Sequence, residues 1–279
     1  MLVRRTLPHR ELRNVGAWCF VDDYGPGEAA MAVPPHPHTG LQTVTWLLSG
    51  EVLHQDSIGS EALVRPGALS LMTAGRGISH AETTTPTSPT LRGVQLWVAL
   101  PAAARETAPD FEHHPGLPVL VAGDVTATVV LGTLGETSSP ATTYSPIVGA
   151  DVTVWGSGGT LPLEPAWEHA VLALTDGLVV DGEPLPAGSL AYLGCDRDSL
   201  DVDGESRALL LGGQPFDEEL LMWWNFIGRS HDEIAAARAE WSLAVAGAAT
   251  RFGRVESYDG PPLPAPALPG TRLRPRGRG

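Results

Sequence analysis

Apolar residues along most of the chain alternate with polar ones or form short runs, and few recur at the spacing of a helix. Because a strand turns successive side chains to opposite faces, alternation over about 4–8 residues predicts half-buried strands. Glycine and proline account for 32 and 25 of the 279 residues, and they punctuate these runs as turns do. The strand candidates are residues 41–50, 68–73, 91–100, 127–132, 150–155, 169–177 and 207–213. The pattern predicts an all-β fold.

The pattern changes after residue 215. The stretch FDEELLMWWNFIGRSHDEIAAARAEWSLAV predicts short helices near residues 216–248. Ser230 is the expected N-cap of the second helix, with Asp232 and Glu233 in the first turn, where carboxylates complement the helix dipole. Residues 259–279 are too rich in proline for a helix or a central strand, so we expect an extended Pro/Arg-rich tail.

An internal repeat divides the β region in two. WLLSGEVLH and RPGALSLMTAG in the first half resemble LALTDGLVVDGEPLPAGSLAYLG in the second half. In each, a strand ends in glycine, a second strand follows, and a turn containing proline and glycine leads into a third. We therefore predict two jelly-roll-like barrels, one over residues 1–120 and one over 121–258, followed by the tail 259–279.

Composition and charge narrow the classes of function. With 43% hydrophobic and 18% charged residues, the chain is expected to fold into a globular protein. A formal net charge of −14 argues against direct binding to nucleic acid, which needs a basic face. Cys19 and Cys195 are expected to be reduced thiols, and no signal peptide or membrane-spanning run is recognisable, so we expect a cytoplasmic protein.

Two pairs of residues carry the candidate chemistry. In Pro35-His36-Pro37-His38, the histidines are two apart, so both can project from one face of a strand. Such a pair alone is a weak signal of metal binding. His80 and Glu82, in the stretch GRGISHAE, form a second pair with the same spacing. If the two strands are neighbours, three imidazoles and a carboxylate converge, a set suited to Fe, Mn, Co, Ni, Cu or Zn.

Three stretches of the chain resemble one family. PHPHTGLQTVTWLLSGEVLHQDSIG, RPGALSLMTAGRGISHAE and MWWNFIGRSHDEI resemble the pirins, which are two-domain cupins, and the likeness extends over nearly the whole chain. The resemblance implies that both barrels are cupin domains and that the N-terminal one binds the metal. It implies His36, His38, His80 and Glu82 as the ligands and Fe(II) as the usual metal.

Gln42 and His54 are the further candidates for catalytic roles. Gln42 is expected on the face that carries His36 and His38, in a place where pirins commonly have glutamate. A glutamine cannot take a proton from a substrate as a carboxylate can, so this difference questions a mechanism that needs that base. His54 is expected either to orient a ligand or contact substrate from outside the metal's ligands, or to be an ordinary satisfied histidine.

The remaining conspicuous residues favour structural interpretations. His113 and His114, in the stretch FEHHPG, are expected to be solvated loop residues. His169 lies on a strand of the second barrel without a partner at the spacing of a ligand pair, so we expect no metal there. Trp223 and Trp224 are expected to belong to a helix packed against a sheet.

The resemblance supports a first hypothesis of function, a metal-dependent dioxygenase. Several pirins act like quercetin dioxygenases, which open the central ring of flavonols and release carbon monoxide, so the expected substrates are O2 and a flavonol or related enediol. The alternatives are a metal- or redox-responsive regulator that binds a partner protein, and a small-molecule binder without turnover. We expect a monomer, because two barrels in one chain already bury sheet against sheet.

Overall fold

The computed structural model describes residues 2–27, 31–86, 88 and 90–277. Its residues group into two compact units. The first unit contains the described residues of Tyr24–His113 and Asp217–Gly279, and the second contains Val3–Asp23 and His114–Phe216. Within the described part of the chain, no helix is long and apolar enough to cross a membrane.

Two antiparallel sheets form the first unit. Their strands are β3 (Ala32–His38), β4 (Leu41–Ser49), β5 (Val52–Asp56), β6 (Glu61–Val64), β7 (Leu69–Thr73), β8 (Ile78–Thr84), β9 (Leu91–Ala99) and β10 (Asp110–His114). One sheet runs in the order β9-β4-β7-β10, the other in the order β3-β8-β5-β6. Side chains from the two sheets meet in a shared interior, as in a β-sandwich or barrel. Two strands precede these, β1 (Val3–Leu7) and β2 (Trp18–Gly27), and β2 continues from the second unit into the first.

The turn between β3 and β4 requires a glycine. Gly40 has a φ of +72°, and a Cβ at this position would lie 2.3 Å from the carbonyl oxygen of Ile227. Only glycine combines a left-handed backbone with so close an approach. The tight turn brings the end of β3, with its two histidines, directly into β4.

The second unit is also built from two sheets. Its strands are β11 (Val119–Ala122), β12 (Val125–Leu134), β13 (Thr137–Ser138), β14 (Ile147–Val154), β15 (Gly159–Pro162), β16 (Glu168–Ala173), β17 (Leu178–Val180), β18 (Glu183–Leu185), β19 (Leu190–Gly194), β20 (Ser199–Asp203) and β21 (Ser206–Gly213). The sheets run β11-β12-β14-β21-β16-β19 and β15-β20-β17-β18, and β13 pairs with β12. Valine, leucine and alanine side chains from both sheets fill the core between them. The prediction of two β barrels is confirmed.

The region after residue 216 departs from the predicted pair of helices. A hairpin of β22 (Leu221–Trp223) and β23 (Phe226–Gly228) stands where the first helix was expected, and one helix follows, α1 (His231–Val245). Trp224 takes a φ of +52° at the hairpin turn, and the Ile227 amide donates to the carbonyl of Thr39 over 3.0 Å. Helix formation here is overridden by backbone partners that are distant in sequence.

Helix α1 agrees with its predicted start. Ser230 is the N-cap, and its side chain accepts a hydrogen bond from the Glu233 amide. Ile234, Ala237 and Trp241 recur on one face and are buried. By its contacts the helix groups with the first unit.

The tail also groups with the first unit. Its described residues, 259–277, contain no helix, and an isolated bridge pairs Arg276 with Leu220. The Leu263 amide donates to the Pro35 carbonyl over 2.8 Å, and the Leu263 carbonyl accepts from the Trp241 indole over 2.9 Å. Residues 278 and 279 lie outside the described part of the chain.

Candidate metal centre

Strand β3 turns two histidines toward the interior of the first unit. His36 lies directly opposite His80 on β8, whereas Val33 lies opposite Glu82, so β3 contains one extra residue between these pairs. Pro34 is in this bulge, where the missing amide of a proline costs no ladder hydrogen bond. From His36 onward the pairing with β8 is regular, so His36 and His38, two residues apart, point to the same face of the sheet, as their spacing predicts.

Strands β8 and β5 complete the cluster. His80 pairs with Asp56 across the β5–β8 ladder, and Glu82 pairs with His54. Each strand therefore contributes two polar residues, two positions apart, to one face of the sheet. All of these side chains are buried.

The three predicted histidine ligands come together as the sequence predicts. The ring centroid of His36 lies 5.0 Å from that of His38 and 4.4 Å from that of His80, and the last two are 5.0 Å apart. One nitrogen of each ring lies within 4.8 Å of a nitrogen of each of the other two, so the three rings could hold one metal ion. A second such group consists of His54, His80 and Glu82, so His80 is common to both.

Burial sets the protonation of the cluster. It lowers the pKa of His36 to about 4, against the opposing effect of a hydrogen bond to the Pro34 carbonyl. Burial also holds the pKa of His38 and His80 well below the usual range, and nearby His36 adds to the effect. Burial raises the pKa of Glu82. The imidazoles are therefore neutral at pH 7, the form in which histidine binds metals.

The cluster fits a divalent transition ion. Nε2 of His80 and Nδ1 of His38 are buried and have no hydrogen-bond partner among the described residues. A buried polar atom left unpaired costs free energy, and a bound cation removes that cost. Imidazole nitrogens with one carboxylate suit iron, manganese, cobalt, nickel, copper or zinc.

The opposite sheet supplies residues that the sequence did not single out. The Thr45 hydroxyl lies 3.1 Å from Oε1 of Glu82 and 3.1 Å from Oε1 of Gln95. The Trp97 ring meets His38 edge-on, with centroids 5.3 Å apart. These contacts join strands distant in sequence, so only the register of the folded sheet identifies them.

Gln42 lies away from the cluster, contrary to prediction. Thr45 and Gln42 are three residues apart on β4, whose pairing with β7 is continuous between them, so they point to opposite faces. Thr45 faces Glu82, and the Gln42 amide donates to the Thr73 hydroxyl over 2.9 Å. Counting by twos from His38 does not predict the face on which Gln42 lies, because the turn at Gly40 separates β3 from β4.

His54 lies against the cluster, as one of its two interpretations expected. Its Nδ1 is 3.4 Å from Nδ1 of His80, and its Nε2 is 3.2 Å from Oδ2 of Asp56. The Phe111 ring stacks on its other side, with centroids 4.2 Å apart and planes 10° from parallel.

The segment FEHHPG is not the loop that we predicted. His113 lies on β10, half-buried, and its Nδ1 is 3.2 Å from the Ser70 hydroxyl. Phe111, two residues earlier on the same face, is the residue that stacks on His54. In the second unit, His169 is buried on β16, and burial lowers its pKa to about 4.

These features define a class of protein. Two β barrels in one chain, one of them enclosing a histidine and carboxylate cluster able to hold a metal, are the attributes of a bicupin with a metal centre. Family models match the chain in both halves: the pirin model covers residues 1–98, and the model of the pirin C-terminal cupin domain covers residues 154–246. The chain belongs to the pirin family.

Individual relatives extend this result. A Pseudomonas aeruginosa protein provisionally named quercetin 2,3-dioxygenase is 46% identical over 274 residues, covering 96% of this chain and 86% of the relative. The crystal structure of a quercetin 2,3-dioxygenase from Acinetobacter baumannii superimposes with a TM-score of 0.91 at 39% identity, covering 98% of this chain and 92% of that one. The Escherichia coli pirin YhhW, solved with nickel(II), shares the fold, with a TM-score of 0.62 at 17% identity, covering 77% of this chain and 91% of that one.

Proposed function

We propose that this protein is an iron-dependent dioxygenase that acts on flavonols such as quercetin or on a related enediol. The observation that carries the proposal is the buried cluster of neutral imidazoles with one carboxyl group. The names of two relatives, at 46% and 39% identity, agree with it. In our proposal His36, His38, His80 and Glu82 hold the metal. A bound iron ion supplies the Lewis acidity and redox capacity that oxygen chemistry requires.

The chain's own residues contribute a base and a dry environment. A flavonol must lose its hydroxyl proton to react, and in our proposal the Glu82 carboxylate, the one acidic group among the ligands, accepts it. The Thr45 hydroxyl holds one of its oxygens in place. Trp97 and Phe111 border the histidines with aromatic surface, which excludes water and suits a planar substrate. Because Gln42 faces away, its difference from glutamate does not weaken the proposal.

Oxygen uptake tests the proposal directly. Purified protein is loaded separately with Fe(II), Mn, Co, Ni, Cu and Zn, and quercetin consumption, O2 uptake and carbon monoxide release are measured. We expect turnover with iron and none with zinc, which has no redox chemistry. His80→Ala should abolish turnover, and Gln42→Ala should retain it.

Absence of turnover would favour the two alternative functions. Tight metal binding without O2 uptake for any metal would contradict the dioxygenase. It would leave a regulator that binds a partner protein, or a small-molecule binder, for which partner capture by ferrous and ferric protein is the next comparison. A cytoplasmic location and a monomeric state stay predictions, to be checked by cell fractionation and light scattering.

A further inference from the structure

Asp56 anchors a short chain of hydrogen-bonding groups that ends at the proposed metal ligand His80. Its Oδ1 accepts from the amides of Ile58 and Ser60 over 3.0 and 2.9 Å. Its Oδ2 is left facing Nε2 of His54 at 3.2 Å. A carboxylate has no proton to donate, so the proton between these two atoms is carried by Nε2 of His54.

The proton on Nε2 of His54 determines which nitrogen of His80 carries a proton. When Nε2 carries the only proton of the His54 ring, its Nδ1 is an acceptor. It lies 3.4 Å from Nδ1 of His80, which must therefore be the donor. Nε2 of His80 then has a bare lone pair, and that atom is buried without a partner among the described residues. The stacked Phe111 ring holds the His54 plane in the orientation required.

We propose that Asp56 and His54 are positioning residues that set the tautomer of His80 and thereby direct the lone pair of its Nε2 to the metal. This inference rests on the proposed metal site. It gives His54 the role of orienting a ligand rather than of binding the metal itself, and it adds Asp56, a residue that neither the spacing nor the family resemblance singled out. Partners that orient ligating histidines commonly change metal affinity by about 10- to 100-fold.

Asp56→Asn is the most direct test of the relay, by which we mean the chain of hydrogen bonds from Asp56 through His54 to His80. The substitution should exchange donor and acceptor at each step of this chain. The side-chain oxygen of the asparagine is expected to accept the hydrogen bonds from the amides of Ile58 and Ser60. The NH2 group of the asparagine then faces Nε2 of His54. That nitrogen must then accept, which moves the His54 proton to Nδ1 and the His80 proton to Nε2. A near-isosteric change would thus block the proposed ligand atom, as the wrong tautomer does in a catalytic triad.

Nuclear magnetic resonance of the metal-free protein tests the tautomers without any reaction. Long-range ¹H–¹⁵N spectra distinguish the protonated from the bare ring nitrogen. We expect His80 to carry its proton on Nδ1 in the wild type and on Nε2 in Asp56→Asn. A wild-type His80 protonated on Nε2 would overturn the proposal.

Metal affinity supplies the second readout, measured by competition titration with Ni(II) and Co(II). Asp56→Asn and His54→Leu should each bind about 10- to 100-fold more weakly than the wild type. His54→Gln should recover most of the affinity, since its amide can donate to Asp56 and accept from His80. Gln55→Ala is the matched control on β5, because that side chain bonds instead to Glu61 and the Ser257 carbonyl.

The outcomes separate this inference from the proposed function. Wild-type affinity in Asp56→Asn, or no recovery in His54→Gln, would contradict the relay even if quercetin is turned over. Failure of the wild type to bind any metal would contradict the proposed function, and the His80 tautomer in the metal-free protein would still decide whether the relay exists. Unfolding curves of each variant identify any loss of affinity caused by misfolding.

Discussion

His36 illustrates what burial does to a titrating side chain in this protein. Its side chain approaches two other imidazoles in an interior almost closed to water, and burial lowers its pKa to about 4. The same neutrality that prepares the ring for a metal makes the metal-free protein sensitive to acid. Burial of the imidazoles therefore lowers the stability of the metal-free protein in acid and keeps the rings in the neutral form that binds a metal.

The metal-free protein should lose stability as the pH falls from about 6.5 to 4. In this window the unfolded chain protonates His36 and the folded protein does not, so the unfolded state binds more protons and the free energy of unfolding falls. The loss from this residue is on the order of 3 kcal/mol. Urea unfolding of chelator-treated protein at several pH values measures it.

Two variants control the acid experiment. His36→Gln should flatten the dependence on pH in part, because His38 and His80 have lowered pKa values as well. His9→Gln is the control, because it replaces an exposed histidine outside the cluster. A stability that stays constant down to pH 4 would contradict burial as the cause.

Gln42→Ala should leave metal affinity unchanged. The Gln42 side chain faces Thr73 on the sheet face opposite Thr45, so its loss removes a buried hydrogen bond and creates a cavity without disturbing the cluster. We expect the free energy of unfolding to fall by about 1–3 kcal/mol. Competition titration and urea unfolding check the two parts, and a large loss of affinity would place Gln42 back at the metal.

At the scale of secondary structure elements, strand parity explains both the correct and the wrong assignments. The pairs on β3 and β8 lie within single strands, so a spacing of two places both members on one face. Gln42 lies beyond a glycine turn, where counting by twos no longer applies. A hairpin stands at residues 221–228 in place of the predicted helix, because a short apolar run fits either element until its hydrogen-bond partners are known.

Ser230→Ala should destabilise helix α1. The Ser230 hydroxyl accepts from the Glu233 amide, one of the amides that the helix itself cannot satisfy. Loss of such a cap costs about 0.5–2 kcal/mol. Ser242→Ala is the matched control, because Ser242 is exposed on the same helix and alanine favours helices. Chemical denaturation of both variants should show a loss for Ser230→Ala only.

At the scale of the whole molecule, two units of similar architecture carry different chemistry. In the described residues, the groups of side chains that could hold a metal lie in the first unit. The second unit has a core of valine, leucine and alanine and contributes the single buried His169 noted above. Removing the metal should therefore affect the unfolding of the first unit most.

Metal binding should raise the thermal midpoint of unfolding. A ligand that binds only the folded state stabilises it by about 2.7 kcal/mol at 100 times its dissociation constant. Calorimetry with and without Ni(II) measures the shift. His80→Ala should remove it, and Glu82→Gln should reduce it less, because glutamine keeps an oxygen ligand but loses the charge. An equal shift in His80→Ala would rule out this cluster as the site.

The sequence by itself determined the β architecture, its duplication, the start of α1 and the three histidines that meet, because these follow from periods and spacings within single elements. The tertiary structure alone decided that Thr45, Trp97 and Phe111 face the cluster, that Gln42 does not, and that Asp56 reaches His80 through His54. The physical reason is register. Which residues oppose one another across strands depends on bulges, turns and pairings between distant segments, and these are settled only when the whole sheet closes.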